Sequence, residues 1–155
     1  MSRPIKSQQS PAALGVLLRE PVRVGNALIT ERLAEHGHSA IRPPHNNVFQ
    51  FLDAEGTRVT VLAERAAMTK QSMGELVAHL ERHGYVERIP DPTDRRAKLV
   101  RSTERGREVY AIAREIAAEM ERLWTARVGK ARMRELRETL VELNDALGAS
   151  PKPSG

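Results

Sequence analysis

The chain of 155 residues contains no cysteine, which excludes disulfides, thiolate catalysis and thiol-based redox sensing. Aromatic residues make up only 3% of it, so stacking platforms for single-stranded nucleic acid have little to be built from. No stretch approaches the ~18 consecutive apolar residues of a membrane helix. The opening MSRPIKSQQSP has no apolar core of the kind a secretion signal carries. The expectation is a cytoplasmic protein with no membrane partner. Catalytic signatures are missing too: there is no G-x-S-x-G, no Walker loop, no G-x-G-x-x-G and no H-E-x-x-H. The run from His79 to His83, HLERH, places its Glu at the wrong offset for the last of these. An enzyme is not expected, and neither is a cofactor.

What is present is positive charge. Lys and Arg number 25 against 20 Asp and Glu, a net charge of +5, and the pI is near 10.1. A polyanionic partner follows. The length suits one domain, or one domain with helical arms, and it buries a core without a metal or disulfide staple. Residues 1–9 are polar and expected to be disordered, as is the tail ASPKPSG at 149–155.

Between these ends the apolar spacing is mostly helical. Ser10-Pro11 is a helix start, and Leu14, Leu17, Leu18, Val22, Leu28, Ile29 and Leu33 follow at helical intervals. Pro21 is expected to kink or split that helix, and Gly37 to stop it. Pro43-Pro44 opens a second helix bearing Val48, Phe49, Phe51 and Leu52, closed by Glu55-Gly56. A third runs from about Thr57 to Ala66, then turns at Ala67-Met68. Thr69 is the natural N-cap of a fourth, which reaches about His83 with Met73, Leu76, Val77 and Leu80 inward. Gly84 supplies its left-handed terminus. Tyr85–Ile89 and Ala97–Arg101 are predicted strands, joined by PDPTDRR as a loop. Thr103 caps a long helix carrying Val109, Ile112, Ala113, Ile116, Met120, Leu123 and Trp124, which Gly129 breaks. A last helix sets Met133, Leu136, Leu140, Leu143 and Leu147 in an a/d-like seam.

Helix, turn, helix and basic hairpin, at 57–107, is the order of parts in a winged helix-turn-helix. The predicted fold is mainly α: about six helices and a short β-hairpin wing, with terminal helices forming a dimerisation region. In such a fold the N-terminal half of the second helix of the pair enters the major groove of double-stranded DNA. Here that surface carries Thr69, Lys70, Gln71, Ser72, Gly74 and Glu75. Lys70 suits a phosphate or guanine, Gln71 adenine, and Glu75 a cytosine amine. Gly74 gives up about 1 kcal/mol of helix propensity against Ala, which fits a bare backbone approaching the bases. In the hairpin, Arg95, Arg96 and Lys98, with Arg88 and Arg101 on the flanking strands, suit phosphates and a narrow minor groove. Asp94 is expected to pair with Arg96 and fix its direction. Taken alone, residues 70–75 read as a solvated helix face and the hairpin as a charged, solvated turn; together they favour DNA.

The same residues carry a resemblance to the MarR family of regulators. They are Leu62-Ala63-Glu64-Arg65; Thr69-Lys70-Gln71-Ser72-Met73; the stretch Leu80 to Val86 (LERHGYV); Asp91-Pro92-Thr93-Asp94-Arg95-Arg96; and Thr103-Glu104-Arg105-Gly106. The flanking helices agree in number and placement. The resemblance implies a MarR-like domain over 10–148, with 10–37 and 108–148 as dimerisation helices. It also implies a homodimeric, ligand-responsive repressor on a pseudo-palindromic operator, released by a small aromatic or anionic effector. The wing arginine would enter the minor groove. Two positions depart from the family: Glu75 stands where a basic residue is common, and Gly74 replaces a polar one. Ser102 also stands where an apolar residue is usual.

Two other readings remain open at this level. His79 and His83, four apart with Glu75 one turn earlier, have metal-ligand spacing, and His36, His38 and His45 cluster near the first loop; a metal-responsive regulator is that alternative. The other is a winged-helix protein-interaction module, against which the basic wing argues. Phe49, Phe51 and Trp124 read as core, with ligand lining as their alternative.

Overall fold

A computed structural model describes residues 13–148; the Ser10-Pro11 start, the 1–9 segment and the 149–155 tail lie outside them. The described elements are α1 (Leu14–Glu35), a 3-10 turn (Pro43–His45), α2 (Asn46–Phe51), α3 (Val59–Arg65), α4 (Lys70–Arg82), β1 (Val86–Asp91), β2 (Asp94–Ser102), α5 (Glu104–Val128) and α6 (Lys130–Ala146). They form two compact units that divide between Ala113 and Arg114.

In the first unit the core gathers Leu33, Ile41, Val48, Leu62, Met73, Val77, Leu80, Tyr85, Val86, Val100 and Val109, with Phe49, Phe51, Leu52 and Leu76 packed against them. Every α-helix and strand from α1 to the start of α5 contributes, so the helix pair α3–α4 and the hairpin share one interior. The hairpin is antiparallel, pairing Val86 with Ser102 and Ile89 with Leu99. Thr57 joins its outer edge: its N–H donates to the Val100 carbonyl at 2.8 Å, and the Val100 N–H donates to the Thr57 carbonyl at 2.9 Å. Thr57 is therefore a buried strand-like bridge, and α3 begins two residues later than its Thr suggests.

Three further expectations change. Pro21 lies inside α1 without splitting it. The backbone bond it removes would end at the Leu17 carbonyl, and both residues are exposed, where water satisfies that oxygen. The helix after Pro43-Pro44 closes at Phe51, before Glu55-Gly56. The PDPTDRR stretch is mostly strand, leaving only Pro92 and Thr93 between β1 and β2. The reason is Asp91, whose Oδ1 accepts from the Thr93 N–H at 2.8 Å and from its hydroxyl at 2.7 Å. That side chain closes the turn tightly enough for Asp91 to pair with Asp94, with a register shift at 95–97 between that pair and the pairing of Pro90 with Lys98.

The cap residues behave as their chemistry dictates. Gly84 takes φ 74° after α4 and Gly129 takes φ 98° between α5 and α6. The Thr103 hydroxyl accepts from the Gly106 N–H at 3.1 Å and donates to the Gly84 carbonyl at 2.6 Å, tying the start of α5 to the end of α4.

In the second unit α6 buries no residue. Leu123, Leu136, Val141, Leu143 and Leu147 are all exposed, Leu147 to 69%. In the first unit α1 likewise exposes Leu14, Leu17, Val22 and Val24. Arg137 and Glu121 form an ion pair between α6 and the second half of α5.

A Cβ added at Gly106 would lie 2.1 Å from the Tyr85 carbonyl oxygen. Gly106→Ala is therefore expected to destabilise the fold by about 1–3 kcal/mol, the usual cost of overpacking. A urea midpoint equal to that of the parent protein would contradict the close approach.

Candidate nucleic-acid interface

The reading surface starts from one hydroxyl. Thr69 has extended backbone angles, and its Oγ1 accepts from the Ser72 N–H at 3.1 Å, an N-cap in the ordinary sense. The same hydroxyl donates to Ser72 Oγ at 2.9 Å. Met73, Val77 and Leu80 are buried on one side of α4, which leaves Lys70, Gln71, Ser72 and Glu75 exposed on the other. Gln71 Nε2 donates to Glu75 Oε1 at 3.2 Å, so these two present themselves as a pair. Gly74 is half-buried, and a Cβ there would meet nothing within 4 Å. Its own fold does not require the glycine.

In the hairpin the basic residues divide into two groups. At its base Arg88 Nε is 3.0 Å from Glu81 Oε2 on α4, and Arg101 donates twice to Glu87 on the facing strand, at 3.0 and 2.7 Å. Arg88, a candidate for DNA contact, is thus already committed to α4. At the tip, Arg95, Arg96 and Lys98 are exposed, and none forms an ion pair among the described residues. Lys70 is likewise unpaired.

The partner of Asp94 differs from the expected one. Asp94 Oδ1 accepts from the backbone N–H of Arg96 at 3.0 Å, the short-range geometry open to a one-carbon carboxylate two residues back. Its Oδ2 faces Arg58 Nη2 at 3.7 Å, so Arg96 keeps its guanidinium free. Arg58 was not anticipated. It is the residue before α3, and it donates through Nε to Asp91 Oδ2 at 2.6 Å. Asp91 is buried at 6% exposure. Hydrogen bonds from Thr93, first its hydroxyl and then its N–H, together with Arg58, hold the Asp91 carboxyl down to about 2. A sequence signal did exist: a basic residue at the start of α3 and two aspartates at the hairpin turn. Nothing in the linear order connects positions 33 residues apart.

The histidines are used structurally. His45 and His79 stack at 4.5 Å between ring centroids, and His79 and His83 lie 4.4 Å apart. His79 Nε2 bonds the Ala40 carbonyl at 2.9 Å, His83 Nδ1 bonds the His79 carbonyl at 2.8 Å, and His45 Nδ1 accepts from the Arg42 N–H at 2.9 Å. Among the described residues no group of three His, Asp or Glu is placed to hold a metal ion. The spacing of His79 and His83 serves a stack and backbone contacts. No helix of the described residues is long and apolar enough to cross a membrane.

A capped recognition helix, a helix paired to it and a basic two-stranded wing define a winged helix-turn-helix protein. Residues 43–97 match the MarR family. A stretch of 59 residues is 37% identical to the transcriptional activatory protein BadR of Rhodopseudomonas palustris, covering 38% of this chain and 34% of that protein. The chain spans between a third and about half of the length of the curated relatives it matches. Among solved structures, a MarR-family transcriptional regulator from Rhodococcus sp. RHA1 superposes with a TM-score of 0.66 at 25% identity, over 85% of this chain and 95% of that one. CouR from Rhodococcus jostii RHA1, solved bound to p-coumaroyl-CoA, gives a TM-score of 0.68 at 24% identity, over 96% of this chain and 99% of that one. The likeness to the MarR family is thus carried by residues 43–97, and the relatives and solved structures matched are described as transcriptional regulators.

The histidine stack predicts an acid-side loss of stability. Burial first, then the charges of His79, Arg42 and His83, push His45 down from 6.5 to about 4. His38, buried with neither ring nitrogen hydrogen-bonded, is lowered chiefly by burial as well. Unfolding restores the ordinary value of about 6.5, so the unfolded chain binds more protons in between. Stability is complete above pH ~6.5 and falls as the pH drops toward 4, before Asp91 begins to protonate. The urea midpoint is expected to be lower at pH 5 than at pH 7, with a smaller drop for His45→Phe. Equal midpoints at the two pH values would refute this.

Proposed function

We propose that this protein is a transcriptional regulator that binds double-stranded DNA as a homodimer on a pseudo-palindromic operator. The carrying observation is the set of cations with no ion pair among the described residues, Arg95, Arg96 and Lys98 at the wing tip and Lys70 on α4, beside Arg58, Arg65, Arg88 and Arg101 of the same unit, which are ion-paired. Lys70, Gln71 and Ser72 read the major groove, with Thr69 fixing the helix start and Gly74 leaving room for the bases. Arg95, Arg96 and Lys98 contact phosphate and minor groove, Arg88 supports the wing base, and Asp94 holds the Arg96 backbone. Glu75 favours a base with an exposed amine and disfavours phosphate.

The homodimer reading rests on the exposed apolar residues of α1 and of the α5–α6 unit, which want a partner; the simplest partner is a second copy. Residues 10–37 and 108–148 would supply it, placing two recognition helices roughly 34 Å apart, one turn of duplex. Repression and release by a small effector come from the family resemblance, and CouR, bound to an acyl-CoA, supports an anionic aromatic ligand. Such a ligand works only by favouring a form of the dimer that fits DNA badly.

Light scattering at micromolar concentration should give twice the 17.3 kDa chain mass; a monomer would remove the dimer. Binding should be measured by anisotropy on duplexes selected from a random pool. Affinity should fall about 10³–10⁵-fold between 50 and 200 mM salt if ~6–10 phosphates are contacted. Arg96→Ala should weaken it at least ~10-fold, and Gln71→Ala should relax preference at one base pair per half-site by about 1–3 kcal/mol. A flat salt response, or Arg96→Ala binding like the parent, would overturn the reading.

A further inference from the structure

The wing tip contains its own inhibitors. Asp91 and Asp94 lie in the same short turn as Arg95, Arg96 and Lys98, near enough in sequence for either carboxylate to capture a guanidinium. Neither does. Asp91 spends Oδ1 on Thr93 and Oδ2 on Arg58. Asp94 spends Oδ1 on the Arg96 backbone and turns Oδ2 toward the same Arg58. One guanidinium from outside the wing thus occupies both acids. Without it, residues 91–98 carry a net single positive charge; with it, the tip carries two.

Arg58 is well placed for this because its backbone is fixed. It follows Thr57, which is hydrogen-bonded in both directions to Val100 of β2, and it precedes the first turn of α3. Its side chain is part-buried at 39% exposure, against 5% for Asp91. An arginine fork suits the task, reaching two carboxylates at once with Nε on one and Nη2 on both.

We propose that Arg58 is a positioning residue for the wing: by holding Asp91 and Asp94, it leaves Arg95 and Arg96 uncommitted and available to DNA. The proposal rests on the DNA-binding reading for its consequence, though not for its first step. Loss of Arg58 frees two carboxylates beside two arginines, and new ion pairs form inside the tip. Wing cations that pair with aspartate no longer displace counterions from phosphate.

The test compares the parent protein, Arg58→Gln, and Arg58→Gln with Asp91→Asn, each checked for folding by thermal unfolding. First, without DNA, NMR measures exchange of the Arg95 and Arg96 Nε protons with water. In Arg58→Gln, exchange at one of them should slow several-fold, and Asp91→Asn should reverse much of the change. Second, affinity for a duplex selected with the parent protein should fall about 10-fold in Arg58→Gln, with a shallower dependence on salt, and the second substitution should restore both. Unchanged exchange together with unchanged affinity overturns the proposal. Reduced affinity with unchanged exchange also overturns it, because Arg58 would then be touching DNA itself. Slowed exchange in a protein whose parent form retains no duplex leaves the clamp standing and sinks the DNA-binding reading instead.

Discussion

The hairpin is joined to the helix pair by two backbone hydrogen bonds, between Thr57 and Val100, and the reading head depends on that joint. The chain arrives at it through Gly56, at φ 105°, where a Cβ would sit 3.0 Å from the Leu99 Cβ and 3.1 Å from the Val100 carbonyl oxygen. Only a glycine passes so close to β2 in that conformation. From the joint, α3 leads into α4, and α4 returns to the hairpin through Gly84 and Tyr85. The Tyr85 N–H donates to the Leu80 carbonyl, and its own carbonyl accepts from Thr103. The wing is thus anchored on one edge by Thr57 and at its root by the ends of α4 and α5. A hairpin alone in water is marginal; this one is a fixed continuation of the helix pair.

Under the proposed reading fixing matters, because the two surfaces would act in different grooves. A recognition helix samples base edges, while a wing arginine samples groove width and phosphate. If the wing swung freely, its contacts would add affinity at the entropic cost of ordering it on DNA. Held by Thr57, Arg58 and Tyr85, it keeps a set geometry relative to α4. The buried residues Val77, Leu80, Tyr85, Val86 and Val100, drawn from α4 and both strands, complete that rigidity.

The parts legible in the sequence are those whose cause is local. Thr69, Gly84, Thr103 and Gly129 each act on the backbone within a few residues, and each does what its side chain, or lack of one, dictates. The spacing of Met73, Val77 and Leu80 gives the inner face of α4 in the same way. What the sequence hid depends on distant partners or on side chains overriding composition. The two prolines and aspartates of PDPTDRR mark a loop, yet the Asp91 carboxylate folds the turn into two residues and the strands run on. Pro21 marks a break, yet its exposed position lets water take the unbonded carbonyl. His79 and His83 have the spacing of ligands, but His79 Nε2 bonds the Ala40 carbonyl and His83 Nδ1 the His79 carbonyl. For Arg58 and Asp91 the residue types are in view but not their pairing, because an ion pair across 33 residues leaves no period.

The sorting of arginines is what gives a modest net charge a direction. Arg65 pairs with Asp53, Arg88 with Glu81, Arg101 with Glu87 and Arg58 with Asp91. Each of these joins one element to another, and each spends a positive charge inside the fold. The exposed pairs among them add little stability, about 0–1 kcal/mol, so their larger effect is on where the remaining charge lies. Every acid tied to a structural arginine is an acid that does not screen a wing cation. Lys70, Arg95, Arg96 and Lys98 are among the cations that the pairing leaves over in the described residues. A polyanion approaching the wing therefore meets a tip whose cations are not held by its own acids. Specificity by charge then requires the acids of this chain as much as its bases, since they decide which bases remain free.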